Sequence, residues 1–127
     1  MVILPNLEHA VIPLDKLEDY VLNPNHLEGM HKAKLFRELL GVERRHALAL
    51  AELIKHTLPR AVAERGKIDE YGERWATYHE IIGLNGATVI VTVAWILRVD
   101  AASEPVLISC YIDSDHQEKL RSLYFSD

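Results

Sequence analysis

One cysteine, Cys110, is present in the 127 residues of this chain, so no disulfide can form within it. Small secreted domains usually depend on several disulfides, whereas a single thiol is typical of a reducing compartment. The first residues have no basic region ahead of an apolar one, and Pro5 and Glu8 interrupt them early, which argues against a signal peptide. These features together predict a cytoplasmic location.

Long apolar runs and a basic surplus are missing as well. The longest apolar stretch, residues 87–97, is too short to span a membrane and contains threonines, so no membrane contact is expected. The chain has 14 Lys and Arg against 19 Asp and Glu, a net charge of −5. This balance argues against an extended nucleic-acid surface and leaves room only for a small, local basic site.

The length, composition and periodicity of the sequence predict a single domain over residues 1–127, with an α+β fold. The chain is long enough, and at 49% apolar residues hydrophobic enough, to build a core without cross-links. A helical half covers about residues 14–64, a strand half about residues 73–112, and a tail residues 113–127. We expect a helical layer of about three helices packed on a three- to four-stranded antiparallel meander.

The helical half shows apolar residues at helical spacing in three segments. Asp15 is the predicted N-cap of the first helix, and Asn23-Pro24 ends it because proline disfavours helical backbone in the residue before it. The second helix is predicted from Gly29 to Leu40, with Gly41 as its stop. The third is predicted from Glu43 to Leu58. The following polar residues, 65–70, are expected to form a loop.

The strand half changes to alternating periodicity. The predicted strands are residues 74–82, 87–98 and 105–112, with a turn from Val99 to Glu104 and a short helix in the tail. Asn85-Gly86 predicts a type I′ hairpin turn. The predicted core contains Phe36, Leu40, Leu50, Ile54, Val91, Val93 and Trp95. Cys110 is expected to be buried, and His79 is expected to face solvent or the open side of the sheet.

The segment from Tyr20 to Phe36 concentrates residues that can do chemistry. It contains His26, His31, Lys32 and Lys34 around a turn-forming Asn-Pro and a glycine. A basic pair in the first turn of a helix, where backbone N–H groups are free, suits an anionic ligand such as phosphate. The structural alternatives are that His26 caps the helix entry and that His31 and Lys32 form a solvated helix face.

The chain resembles a small bacterial domain family associated with toxins and phages. The motifs that carry the resemblance are Asn23-Pro24-x-His26-x-x-Gly29-x-His31-Lys32-Ala33-x-x-Phe36, Tyr71-Gly72-x-Arg74, Ala94-Trp95-Ile96 and Cys110-Tyr111. The predicted layout is similar to the metal-independent RNases of the barnase, EndoU, colicin and RelE group. Two positions depart from the family pattern, because Thr92 stands where a basic residue is common and Trp75 where tyrosine is usual.

The resemblance implies RNA as substrate and a site without metal or cofactor. A metal-independent RNase needs groups that transfer protons and cations that stabilise the developing charge on phosphorus. The predicted catalytic residues are His26, His31, Lys32 and Arg74. The predicted substrate-binding residues are Lys34, Tyr71 and Thr92. The sequence has no HExxH motif and no cysteine pair, so no metal site is expected.

Two functions are open at this point. The first is a toxin-type RNase domain, which implies a small neutralising protein partner. The second is a non-catalytic interaction module, which the acidic charge and Thr92 favour; Arg74 would then be a structural partner of Asp69, Glu70 or Glu73. Convergence of His31, Lys32 and Arg74 on one cleft would favour the enzyme, and their separation would favour the module. The oligomeric state stays open.

Overall fold

The computed structural model describes residues 2–99 and 104–126 and confirms the α+β prediction. The helices are α1 Leu14–Lys16, continued by a π-helical turn Leu17–Val21, then α2 Met30–Leu40, α3 Ala47–Thr57 and α4 Gln117–Tyr124. The strands are β1 Val62–Asp69, β2 Gly72–Ile82, β3 Thr88–Arg98 and β4 Pro105–Tyr111. Short 3₁₀ turns occupy Leu7–His9, Arg44–His46 and Leu58–Arg60. The turn predicted for Val99 to Glu104 lies largely outside the described residues.

The three predicted helices are present, with one correction. Pro13 precedes α1 and is its N-cap residue, so Asp15 lies inside the first turn and does not cap the helix. Gly41 ends α2 as predicted, with a φ of 66° that suits the left-handed cap position. Glu43 and His46 bond to each other's backbone N–H groups ahead of α3. None of the described helices has the length and apolar composition that crossing a bilayer requires.

The prediction of a polar loop over residues 65–70 is wrong, because most of this segment belongs to β1. The four strands form one antiparallel sheet in the order β1-β2-β3-β4, which makes β1 an edge strand. Residues 64–68 are all exposed, so β1 lacks the buried face that produces apolar alternation in a sequence. Charged residues on such an edge also discourage pairing with another chain.

The β2–β3 hairpin has the predicted position but a different turn. Gly83 accepts a hydrogen bond from the Gly86 N–H at 3.0 Å, and its own N–H donates to Ala87 at 2.8 Å. Positive φ occurs at Gly86, at 82°, and not at Asn85, so this is a three-residue loop and not a type I′ turn. The Asn85 side chain donates to the Leu39 carbonyl at 3.3 Å, which ties the hairpin to the end of α2.

The core lies between α1–α3 and one face of the sheet, here called the helical face. All seven residues predicted for the core are fully buried in one cluster. On β3 the helical face carries Val89, Val91, Val93 and Trp95. Cys110 on β4 joins this cluster, and burial raises the pKa of its thiol to about 12. The thiol is therefore a small apolar core group, as predicted.

The opposite face of the sheet, here called the outer face, is only partly open. Thr88 and Arg98 at the two ends of β3 are exposed, but Ile90 and Thr92 are buried. Helix α4 packs against this face, where the Tyr124 ring stacks on Tyr78 at 4.3 Å. The Gln117 amide bonds to both the N–H and the carbonyl of Ile90, because β4 does not extend to this position.

His79 lies in the core, so the expectation that it faces solvent or the open side is wrong. It is 1% exposed and sits on the helical face opposite Val91. Its Nδ1 lies 2.7 Å from the Thr57 hydroxyl on α3 and its Nε2 lies 2.6 Å from the Thr77 hydroxyl on β2. The Trp95 indole N–H donates to Thr77 at 2.8 Å, so a polar network runs through the core.

One arrangement of protons satisfies this whole network. Thr57 donates to the Leu53 carbonyl, at 2.9 Å, and accepts from Nδ1–H of His79. Thr77 accepts from Trp95 and donates to the unprotonated Nε2 of His79. The imidazole is therefore neutral, and burial lowers its pKa to about 3. The alternation of β2 did not predict this position, because a histidine two residues after Thr77 and next to Glu80 resembles a solvated pattern.

We predict that acidification destabilises the fold through His79. A folded pKa near 3 lies below the unfolded value of 6.5, so the unfolded chain binds the additional proton and stability falls as pH drops below about 6.5. Between pH 7 and pH 5 the expected loss is about 2 kcal/mol of unfolding free energy. Urea unfolding at both pH values measures it.

The variants that test this assignment are His79→Gln and His56→Gln. The first is expected to be less stable at pH 7 but nearly insensitive to the pH change, because it no longer titrates. The second alters an exposed histidine on α3 and should keep the wild-type dependence. An equal slope in wild type and His79→Gln would show that another group is responsible.

Candidate functional site

The junction between α1 and α2 is held by a close contact between two backbones. A Cβ atom added to Gly29 would lie 2.0 Å from the Tyr20 carbonyl oxygen, so only glycine fits there. Before it, the Asn23 side chain accepts from the Asn25 N–H at 3.0 Å and donates to the Asp19 carbonyl at 3.3 Å. The Asn-Pro and glycine of the sequence motif therefore fix the direction in which α2 leaves α1.

His26 caps the entry to α2, in agreement with its structural interpretation. Its Nδ1 accepts hydrogen bonds from the N–H groups of Glu28 and Gly29, both at 3.0 Å. The ring proton must then reside on Nε2, because a proton on Nδ1 would break both bonds. The ring also contacts Tyr20 edge-on, at 5.0 Å between centroids. A proton-transfer role would require His26 to give up the cap.

Lys32 points inward from α2 and binds Tyr20. Its ammonium group donates a hydrogen bond to the Tyr20 hydroxyl and lies 4.5 Å from the centre of the same ring. This hydrogen bond lowers the pKa of the Tyr20 hydroxyl below its usual 10. Both side chains are partly buried. A cation and a phenol of lowered pKa are therefore in contact, and no local feature of the sequence predicts this pair.

His31, Lys34 and Arg37 share the outward face of α2. Together with Pro24 and Met30 they line an open cleft of about 300 Å³. All three basic side chains are exposed, and none has an ion-pair or hydrogen-bond partner within the described part of the chain. Spacings of three residues on a helix place side chains on one face. A second cleft of about 220 Å³ shares Pro24 and Arg37 and continues to Arg44 and Arg45.

The other predicted site residues lie elsewhere. Arg74 lies on the outer face of the sheet, opposite Ile96, and binds Asp69 at 2.8 Å. The Tyr71 N–H bonds Asp69 too, and this bond, with Arg74, holds the pKa of the Asp69 carboxyl below its usual range. Tyr71 is exposed at the β1–β2 turn. Thr92, on the outer face, is 4% exposed and cannot reach a ligand on α2.

The structure therefore brings together only part of the predicted site. His31 and Lys34 meet in one cleft, whereas Lys32 turns towards Tyr20 and Arg74 is paired on the other side of the sheet. Arg37 was missed, although its spacing from His31 and Lys34 is readable in the sequence. Tyr20 was not predicted as a site residue, since nothing in a sequence shows that a tyrosine meets a lysine twelve positions later.

Charge is distributed unevenly around this region. Residues 20–45 contain five Lys and Arg against three Glu, whereas the whole chain has a net charge of −5. A local excess of positive charge on an acidic protein attracts anions at one place and repels them elsewhere. Among the described residues, no three His, Cys, Asp or Glu side chains are grouped closely enough to hold a metal ion. The cleft on α2 therefore suits an anionic ligand.

Comparison with known families identifies a family for this chain. Residues 3–114 match the family model described as a domain of unknown function, DUF6883. The chain belongs to the DUF6883 family. The prediction of an uncharacterised domain family is confirmed at this level, while the motifs and the likeness to RNases stay predictions. No curated protein matches the DUF6883 chain in sequence.

A solved structure has a similar fold. A chain of the contact-dependent growth inhibition toxin–immunity protein complex from Klebsiella pneumoniae 342 superimposes with a TM-score of 0.59. The two chains are 19% identical, and the match covers 84% of the DUF6883 domain and 95% of the other chain. At this identity the likeness shows that the fold is shared.

Gly29→Ala should destabilise the domain by about 1–3 kcal/mol, because the new methyl group overlaps the Tyr20 carbonyl and the junction must shift. The matched control is Gly66→Ala, where the nearest atom to an added Cβ is 3.6 Å away. Urea unfolding of both variants measures the difference. Equal stabilities would mean that the junction adapts without cost.

The Tyr20–Lys32 pair gives a spectroscopic prediction. Lys32→Met should raise the pKa of the Tyr20 hydroxyl, because the hydrogen bond that favours the phenolate is gone. Lys34→Met, on the outward face of the same helix, should leave the pKa of Tyr20 unchanged. Titration of the ¹³Cζ signal of Tyr20 by NMR follows the change. An unaltered midpoint in Lys32→Met would contradict the assignment.

Proposed function

We propose that this domain is a metal-independent, toxin-type RNase whose RNA-binding site is the basic cleft of α2. The observation that carries the proposal is the convergence of His31, Lys34 and Arg37 on one open cleft, with no competing ion pair among the described residues. A histidine beside two cations is what cleavage of a phosphodiester by an adjacent 2′-hydroxyl requires. Arg37 takes the place that the sequence had suggested for Lys32 and Arg74.

The proposed chemistry is a transesterification at phosphorus. Lys34 and Arg37 hold the phosphate, and arginine can do so through two parallel hydrogen bonds. His31 accepts the 2′-hydroxyl proton while the 2′-oxygen bonds to phosphorus and the bond to the 5′-oxygen breaks. The leaving 5′-oxygen takes a proton from water, since His26 is committed to its cap. The products are a 2′,3′-cyclic phosphate and a 5′-hydroxyl.

One further finding supports a role in a toxin system. The fold is shared with a chain from a toxin–immunity protein complex. A toxin that cleaves RNA must be neutralised in the cell that makes it, so we include a protein partner in the proposal. Leu27, which lies in the chain between Pro24 and Met30 of the cleft lining, is exposed and is an apolar group for such a partner to cover.

A non-catalytic interaction module is the second candidate. It is favoured by the separation of His31, Lys32 and Arg74, and by the presence of a single proton-transfer group in the α2 cleft. In this function the same basic face binds an acidic protein surface and breaks no covalent bond. The two candidates share a site and differ in whether RNA is cut.

His31→Ala should reduce RNA cleavage by about 10²–10⁴-fold, the usual effect of losing one positioned proton-transfer group. Its thermal unfolding should match wild type, because His31 is exposed and has no hydrogen bond in the described structure. His56→Ala, at another exposed histidine, should cleave like wild type. The assay uses total tRNA with and without EDTA, with the products resolved by denaturing gel.

Cleavage by His31→Ala at the wild-type rate would exclude His31 from the reaction. If the wild type cuts no RNA, the interaction module becomes the better explanation. In that case a polyglutamate peptide, followed by fluorescence anisotropy, should bind the wild type but not Lys34→Glu/Arg37→Glu. Failure of both assays would remove the functional argument for this cleft.

A further inference from the structure

A second open cleft lies at the opposite end of the β2 and β3 strands from their hairpin. It has a volume of about 560 Å³ and is formed by the first residues of β2, the last residues of β3 and part of β1, with Pro5 of the N-terminal segment at its side. The N-terminal segment crosses the sheet here, since Val2 bonds to β1 and Val11 to β4. Its lining includes Arg65, Glu73, Trp75 and Arg98.

Trp75 presents an indole surface to this cleft. It lies on the helical face opposite Trp95, but in contrast to that buried residue it is only partly covered. Its Nε1–H donates to Oε1 of Glu73 at 3.1 Å, which fixes the ring orientation beside the carboxylate. An indole held in place and left accessible is a suitable platform for stacking with a planar ligand.

Arg65 and Arg98 both line this cleft, Arg65 from the helical face and Arg98 from the last position of β3, where its register with Gly72 places it on the outer face at the strand end. Both are exposed, and within the described residues neither has an ion-pair or hydrogen-bond partner. Three arginines elsewhere in the chain are paired with carboxylates on other elements: Arg44 with Asp19, Arg74 with Asp69 and Arg121 with Glu80. Arg65 is the direct cross-strand neighbour of Trp75, so a cation and the indole lie side by side.

We propose that this cleft binds a nucleoside monophosphate, with its base stacked on Trp75 and its phosphate held by Arg65, beside the indole, and by Arg98, at the strand end. The free oxygen of Glu73 accepts a hydrogen bond from an N–H on the edge of the base. Guanine fits best, because its ring N–H and exocyclic amine are neighbouring donors. A free anion would account for the arginines but would leave the indole and the carboxylate without a role.

The proposal deepens the RNase function by adding a site for one nucleotide, but it depends on different residues. The nucleotide could be free or part of an RNA chain, because both offer the same base and phosphate. Titration calorimetry of the full chain with guanosine 5′-monophosphate (GMP), guanosine, inorganic phosphate and the dinucleotide GpG separates these cases. We expect GMP to bind at least about tenfold more tightly than guanosine or phosphate, since only GMP uses both halves of the site. Tighter binding of GpG than of GMP would identify RNA as the source.

Three variants test the assigned contacts. Arg65→Ala/Arg98→Ala should weaken GMP at least about tenfold and leave guanosine unchanged, because charge-assisted hydrogen bonds to the phosphate are lost. Glu73→Gln should reduce the preference for GMP over uridine 5′-monophosphate, whose base offers a single donor. Trp75→Leu should weaken every nucleotide. Thermal unfolding confirms that each variant is folded, and the double arginine variant alters only exposed side chains.

His31→Ala distinguishes this proposal from the proposed function, because it should bind GMP like wild type even though cleavage is lost. Absence of heat with GMP at millimolar concentration would overturn the proposal. Wild-type affinity in the double arginine variant would do so too, as would phosphate binding as tightly as GMP. Loss of RNA cleavage without loss of GMP binding would leave it standing.

Discussion

The contact between Gly29 and the Tyr20 carbonyl is the constraint on which the candidate site depends. At this point two backbones approach more closely than any side chain allows, and α2 therefore leaves α1 in one direction. That direction decides which residues of α2 face inward and which face solvent. Lys32 meets the Tyr20 ring, whereas His31, Lys34 and Arg37 form an exposed basic surface. The close contact at Gly29 therefore decides that Lys32 has a structural role and that the other basic residues of α2 are accessible to a ligand.

Polar interactions inside the core hold the helices on the sheet. The chain of hydrogen bonds from Trp95 through Thr77 and His79 to Thr57 connects β3, β2 and α3. Buried polar groups must be satisfied, and this network satisfies every donor only with a neutral imidazole in one tautomer. A histidine that a sequence presents as a candidate for chemistry is here a structural group, and its burial makes stability depend on pH.

Charge on this protein is segregated instead of balanced. The chain is acidic overall, yet the α2 surface and the cleft around Trp75 each have basic side chains without described ion-pair partners. Arg44, Arg74 and Arg121, in contrast, are paired with carboxylates on neighbouring elements. Exposed pairs of that kind contribute little to stability, but they remove the charge from competition for ligands. The unpaired arginines are consequently those that remain available to an anion.

The sequence by itself determined the α+β class, the three N-terminal helices and the core positions, because helical and alternating periodicities are local signals. It did not reveal β1, because the exposed residues of that strand show no alternation. It also did not reveal the turn type at Asn85, where the backbone keeps a negative φ and the side chain bonds to α2. Only the tertiary structure decided which basic residues meet. Arg74 lies on the outer face because of its register with Ile96, and Trp75 reaches a cleft because the N-terminal segment and two strand ends converge there. Such convergence depends on strand register and chain crossing, which no spacing along the sequence encodes.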